Sequence, residues 1–167
     1  MLNHLSFETQ KDLLIKGWMS HDARWFMAIK QYFGIDAANR LNQSVCREIG
    51  RVEMKRLMKT LALLPPKDIN EYFDLKKAAM SLYGHGLAEY EIKIIDKESY
   101  EMHLKRCFAY ENIVKGGIQN QYKCGILARI QGWIDAQGLE HELSPALAKC
   151  MMVLGKECCY TIKLKFH

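Results

Sequence analysis

The apolar pattern changes period near the middle of the chain, and that change restricts the fold more than any other feature. Up to about residue 83, apolar side chains recur every three or four positions, the spacing of a helix that buries one face. Beyond Gly84-His85-Gly86 they begin to alternate with polar ones: Tyr100, Met102 and Leu104 are interleaved with Glu101, His103 and Lys105. That is the period of a half-buried strand. Helices first, then strands with helices between them, imply an α+β fold, in which an N-terminal helical bundle packs on an antiparallel β-sheet with inserted helices. At 167 residues and 49% apolar content, the chain fits a single domain with a real core. Residues 1–84 form its helical part and 85–167 its α+β part.

Local signals divide this frame. A first helix spans 7–16 and ends near Gly17. A second starts at Ser20, a good N-cap with Asp22 in its first turn, carries Trp25, Phe26, Ile29 and Phe33, and closes at Gly34. Asp36 caps a third, whose stripe of Leu41, Val45, Ile49, Val52 and Leu57 reaches about Leu61. Pro65 and Pro66 break the chain. Asp68 followed by Glu71 is a capping signal for a fourth helix over 69–82. Strands are expected over 87–95 and 100–106, joined by a hairpin loop at 96–99, then helices over 108–115 and 126–136. A last hairpin pairs 146–154 with 157–166 around Gly155-Lys156.

The charge balance excludes some partners. The formal charge of +5 is mild and spread out, and the basic stretch 51–59 alternates with apolar residues as a solvated helix face does. A nucleic-acid partner is therefore not expected. No apolar run approaches the roughly 18 residues needed to cross a bilayer. Residues 1–10 lack the basic start and apolar block of a secretory leader. A cytoplasmic protein without a membrane partner is expected. Thiols stay reduced there, and clustered cysteines point to metal or catalysis.

Four cysteines fit that expectation. Cys124, Cys150 and Cys158 follow a C-x25-C-x7-C spacing, with Gly155 inside the last interval, and Cys107 ends a strand. Four thiolates converging near a turn would hold a structural zinc ion in a closed tetrahedral cage. The competing reading is that all four are buried small hydrophobes, as free cysteines often are. Cys159 has the opposite strand parity to Cys158 and faces the other way. Cys46 reads as core.

Other candidates are weaker. His21, Arg24 and Trp25 share a helix turn, and Tyr110 and Trp133 are aromatics able to line a cavity between helices and sheet. Core packing accounts for these aromatics equally well. His85 reads as loop and His103 as surface. A cysteine nucleophile beside a base, Cys107 with His103 or His21, is chemically reasonable but not demanded by spacing. No phosphate loop, HExxH motif or paired-carboxylate signature is present.

The segment from Cys124 through Gly132, Cys150, Gly155 and Cys158 to Tyr160 resembles the 4-vinyl reductase-type domain, in its C…G…C-x-[FY] ending. The resemblance implies a small-molecule-binding domain with a zinc ion beside the ligand pocket. Leu147 stands where that family has a glutamate ligand, and Cys107 is the natural replacement. The stretch His21-Asp22-Ala23-Arg24-Trp25-Phe26, with Phe33-Gly34 and Ala38-Asn39, resembles uncharacterised bacterial and archaeal proteins grouped with that domain. Cys107 and Tyr110 also resemble a Cys-x-x-Tyr segment of L-2-amino-thiazoline-4-carboxylate hydrolases, although no acid closely follows Cys124 here. These resemblances imply a zinc-containing small-molecule-binding protein, homodimeric through its N-terminal helices. Ligand-binding residues would be His21, Arg24, Trp25, Tyr110 and Trp133, and the zinc ligands Cys107, Cys124, Cys150 and Cys158. A hydrolase of a small C–N ring with a Cys107 or Cys124 nucleophile, and a protein-interaction subunit of the fold shared by vesicle-transport particle subunits, are the alternatives.

Overall fold

A computed structural model describes residues 5–83 and 87–166; the expected His85 loop lies outside them. The chain divides into two compact units between Arg40 and Leu41. Its elements are α1 (Phe7–Leu61), α2 (Ile69–Ser81), β1 (Ala88–Ile94), β2 (Ser99–Cys107), α3 (Phe108–Lys115), α4 (Ile126–Ala136), β3 (Glu140–Ser144) and β4 (Cys158–Lys165). A 3-10 turn covers Met151–Leu154. The α+β class expected from the change of period is the class found.

The N-terminal unit is helical from Phe7. Ser6 caps it, its hydroxyl accepting the Thr9 amide at 3.1 Å. The expected helix end at Gly17 and restart at Ser20 are absent. A single helical glycine costs only about 1 kcal/mol, and the hydrogen-bond ladder absorbs it. The Ser20 carbonyl instead accepts from Arg24 at 2.9 Å. Gly34 does interrupt α1, at φ +83°, a backbone conformation that glycine adopts without strain.

The second unit is two-layered. Its sheet has the order β1-β2-β4-β3, antiparallel throughout. The β1–β2 hairpin turns where expected, with Asp96 accepting the Glu98 amide at 2.8 Å. Register sets Tyr100 opposite Ile162, Met102 opposite Tyr160 and Leu104 opposite Cys158. All six are buried, because parity turns them to one face. The alternate residues Glu101, His103, Lys105 and Lys163 are half-buried or exposed. Helices supply the other layer. Tyr72, Phe73, Leu75 and Ala79 of α2, Leu127, Ile130, Trp133 and Ile134 of α4, and Met54 and Met58 of α1 join the same core. Asp68 caps α2 as expected, accepting from Asn70 and Glu71 at 2.8 and 3.0 Å. Glu71 in turn accepts from Lys67 at 2.8 Å.

Two expectations are corrected. The stripe on the 41–61 stretch is buried only in part: Leu41 and Val45 are exposed and Ile49, Val52 and Leu57 half-buried, whereas Gly50, Met54 and Met58 are buried. Backbone contact sets this orientation. A Cβ on Gly50 would lie 2.3 Å from the Arg129 carbonyl oxygen, and one on Gly132 would lie 2.0 Å from that of Arg47. The last hairpin is also different. β4 pairs with β3 on one side and β2 on the other, and residues 146–154 hold one isolated bridge, Lys123 with Lys149, and the 3-10 turn. Short apolar runs such as Met151 to Leu154 do not distinguish strand from helix by period.

Ion pairs flank the glycine crossing. Arg47 and Arg51 both reach Asp135, at 2.7 and 2.8 Å. Glu53 takes Arg129 in a bidentate pair and accepts the Trp133 indole at 3.0 Å. Arg129 also donates to Tyr83 at 2.8 Å.

One charged residue of the core lacks such a partner. Lys76 is 2% exposed. Its Nζ donates to the Tyr100 hydroxyl at 2.9 Å and approaches Met102 Sδ at 3.8 Å. The Tyr100 hydroxyl is 2.7 Å from that of Tyr72. Burial lowers the Lys76 amine to about 7, because the charged form loses its hydration.

The glycine crossing generates a stability prediction. Gly132→Ala should cost about 3 kcal/mol or prevent folding, since backbone is what the new methyl meets. Gly17→Ala, with nothing within 4 Å, should gain roughly 0.5–1 kcal/mol. Urea denaturation of both variants checks this. Lys76 generates a second. Its amine titrates near 7 when folded and near 10.5 when unfolded, so the unfolded chain holds the extra proton between those values. Stability should rise with pH from about 7 to 9.5, by at most about 1.4 kcal/mol per unit. Lys76→Met should flatten the rise and stabilise the protein at pH 7, as denaturant midpoints across that range would report.

Candidate metal centre and adjoining groove

Four segments bring the cysteines together. β2 ends at Cys107, which occupies the N-cap of α3. The thiol makes no capping hydrogen bond, but the nearby backbone amides of Ala109 and Tyr110, which a first helical turn leaves unpaired, favour its charged form against the burial that pushes it up. Cys124 stands just before α4, where the nearby amides of Ile126 and Leu127 favour its charged form against burial. Its loop is fixed from three sides. The Cys124 amide donates to the Ala148 carbonyl at 3.2 Å. Gln43 donates to the Cys124 carbonyl at 3.2 Å. Gly125 sits so close to Asn42 and Cys46 that a Cβ would meet them at 2.7 and 3.0 Å. Cys150 opens the 3-10 turn, next to the Lys123–Lys149 bridge. Gly155, at φ +66°, reverses the chain into β4, which starts at Cys158.

All four thiols line one cavity of about 20 Å³, with Leu104, Tyr110 and Met152 among its walls. Space of that size takes one ion or one water. Cys107, Cys150 and Cys158 are buried and Cys124 is half-buried. Burial pushes the Cys124 and Cys158 thiols up to about 12. Neighbouring sulfurs add to this: Cys107 and Cys158 act on Cys124, and Cys107 and Cys150 act on Cys158. Among the described residues, no group of three or more His, Cys, Asp or Glu side chains stands in metal-holding geometry. The thiols therefore share a cavity without forming a closed coordination sphere. The donor set itself fits zinc, as four sulfurs lining one ion-sized space.

The cavity borders an open groove of about 560 Å³. Leu104, Cys107, Tyr110, Met152 and Cys158 line both. The groove's other walls are mainly polar or charged, with Arg106 paired to Glu111 at 2.6 Å and the His103 ring 3.4 Å from the Glu157 carboxylate. Parity sorts the last two cysteines as expected. Cys158 faces the core and Cys159, opposite His103, does not. Cys46 is half-buried and sits 3.7 Å from Asn42 Oδ1.

The five expected ligand-binding residues are divided between the two units. Tyr110 lines the cysteine cavity and its groove. Trp133 is in the core, stacked on Tyr83 and bonded to Glu53. His21, Arg24 and Trp25 lie in the N-terminal unit. There the indole donates to His21 at 3.1 Å, and Trp25 is 59% exposed. Sequence reasoning missed the aromatic surroundings of Lys76. The signal was available, since Lys76 falls on the stripe Ile69, Tyr72, Phe73, Lys76, Ala79, where a charge interrupts an otherwise apolar face.

The pattern of one family matches residues 4–152, which include Cys107, Cys124 and Cys150. The chain belongs to DUF6125, a family of unknown function. No curated protein matches it. Among solved structures, it is similar to a trafficking protein particle complex subunit 3 from Naegleria fowleri covalently bound to palmitic acid. The TM-score is 0.61 at 14% identity, covering 96% of this chain and 98% of that one. At that identity the likeness is one of fold. Among the described residues, no helix is long and apolar enough to cross a membrane.

Proposed function

We propose that this DUF6125 chain is a small-molecule-binding domain of the 4-vinyl reductase type, cytoplasmic, in which Cys107, Cys124, Cys150 and Cys158 hold a structural zinc ion. The observation that carries this reading is the meeting of four cysteines from four separate segments at one ion-sized cavity. Zinc would supply a fixed crosslink between the starts of α3, α4, the 3-10 turn and β4. The open groove sharing Cys107, Tyr110 and Cys158 with that cavity is the ligand site, and its volume lies in the range of small-molecule pockets. The hydrolase alternative has less support. Burial raises these thiols, whereas a nucleophile needs a lowered one.

Native mass spectrometry of the purified protein should give the mass of the chain plus one zinc ion. Cys124→Ser and Cys158→Ser should each lose the metal and lower the melting temperature by several degrees. Four freely titrating thiols and no ion in the folded protein would refute the metal, and one hyper-reactive thiol would favour the hydrolase.

The fold likeness to a trafficking-complex subunit favours a second reading, a subunit of a protein assembly. The N-terminal unit exposes Phe7, Leu14, Tyr32 and Phe33, an apolar set suited to a partner surface. A homodimer through this unit is the simplest form of that reading. Light scattering should then report about twice the 19.4 kDa chain mass, falling to one chain mass in a Phe7→Ser/Tyr32→Ser/Phe33→Ser variant.

A further inference from the structure

Lys76 stands apart from the cysteine centre and has no role in the function proposed above. Its Nζ lies 4.3 Å from the Tyr100 ring centre and 5.8 Å from those of Tyr72 and Phe73. Its polar contacts are the Tyr100 hydroxyl and Met102 Sδ, with no carboxylate. The elements around it are α2, β2 and, across the groove it lines, β1, and the titratable groups they present are the Tyr72 and Tyr100 hydroxyls beside Nζ and Asp74, Lys77 and Tyr90 in the groove. An ammonium would be held here by ring faces, one hydroxyl and a thioether, with no opposite charge, so the amine form suits the site better. Lys76 also contributes to the wall of a groove of about 340 Å³ between α2 and β1, which otherwise presents Phe73, Tyr90, Ile92 and Ile94 as apolar walls and Asn70, Asp74 and Lys77 as polar ones. A buried amine whose side chain forms part of an apolar groove's wall, beside a hydroxyl able to relay a proton, is an arrangement that imine formation can use.

We infer that Lys76 captures a small carbonyl compound from this groove as a Schiff base. The Nζ lone pair attacks the carbonyl carbon and a C–N bond forms. The resulting carbinolamine loses its oxygen as water, carrying away both protons of the neutral amine, and the C=N bond remains. The step consumes no oxidant or reductant. The Tyr100 hydroxyl, hydrogen-bonded to Nζ and to Tyr72, is placed to pass the proton. The apolar walls favour an aromatic or branched aldehyde over a charged keto acid.

Reductive trapping tests this on the intact chain. The protein is incubated at pH 7 with benzaldehyde and cyanoborohydride, and each lysine's benzylation is followed by peptide mass mapping, with circular dichroism monitoring the fold. Lys76 should be modified at least about tenfold faster than the average lysine. Ordinary lysines are almost wholly protonated at that pH. The Lys76 rate should level off just above neutral pH while the others keep rising past pH 9. Lys76→Arg and Lys76→Met should each abolish the fast site without changing the remaining rates. A Lys76 rate at or below the average, a rate that climbs with pH in parallel with the others, or labelling that appears only as the fold is lost would overturn the inference. The per-residue measurement on the unaltered chain decides the matter even if a variant fails to fold.

Discussion

The approach of two backbones at Gly50 and Gly132 governs the arrangement of the second unit. With no Cβ on either residue, the 41–61 stretch and α4 meet close enough for each glycine to face the other helix's carbonyls. That contact fixes which side of the 41–61 stretch is buried. Gly50 brings Met54 and Met58 with it into the core one and two turns later, and of the larger aliphatics Leu57 packs beside them while Leu41 and Val45 stay exposed. The ion pairs to Asp135 and between Arg129 and Glu53 lie on both sides of the crossing. They oppose rotation of one helix on the other, because a register change would leave half-buried charges unpaired.

The same close packing extends to the cysteines. About two turns before Gly132, Gly125 also has no room for a side chain against Asn42 and Cys46. The loop holding Cys124 is thus pressed onto α1 and pinned by Gln43, while Ala148 ties it to the segment carrying Cys150. Cys107 and Cys158 arrive by a different route, from the adjacent strands β2 and β4. The centre therefore joins a helix-packing constraint to a sheet-register constraint. A bond network shared by both layers is the place where one ion would restrict the most motion.

What could be read from the sequence follows from the range of the interaction that determines it. The α3 and α4 spans, the Asp68 cap and the β1–β2 turn depend on neighbours within a few residues, and they are found where the local pattern puts them. The stop at Gly17 was not, because a helix tolerates one glycine when its ladder continues on both sides. The buried side of 41–61 depends on a glycine 82 positions later in the chain, which no period in either segment records. β4's second neighbour was misassigned for a similar reason. Glu140–Ser144 is short and half charged, and only its pairing with β4 makes it a strand. The convergence of the cysteines was legible as a set, but the 3-10 start that carries Cys150 was not.

Burial acts on the two unusual chemical centres with opposite results. Withdrawal from water disfavours the charged form in both. For a thiol the charged form is the reactive one, so Cys124 and Cys158 become inert as free groups, and a cation is what would restore the thiolates. For an amine the neutral form is the reactive one, so the same withdrawal makes Lys76 more nucleophilic near neutral pH. The aromatic rings around Nζ do not reverse this, since ring faces attract an ammonium less strongly than the water they replace. One core thus tends to silence sulfur chemistry at one end of β2 and to favour nitrogen chemistry near the other. The strand's parity, which turns Tyr100, Met102 and Leu104 to the same face, links the two.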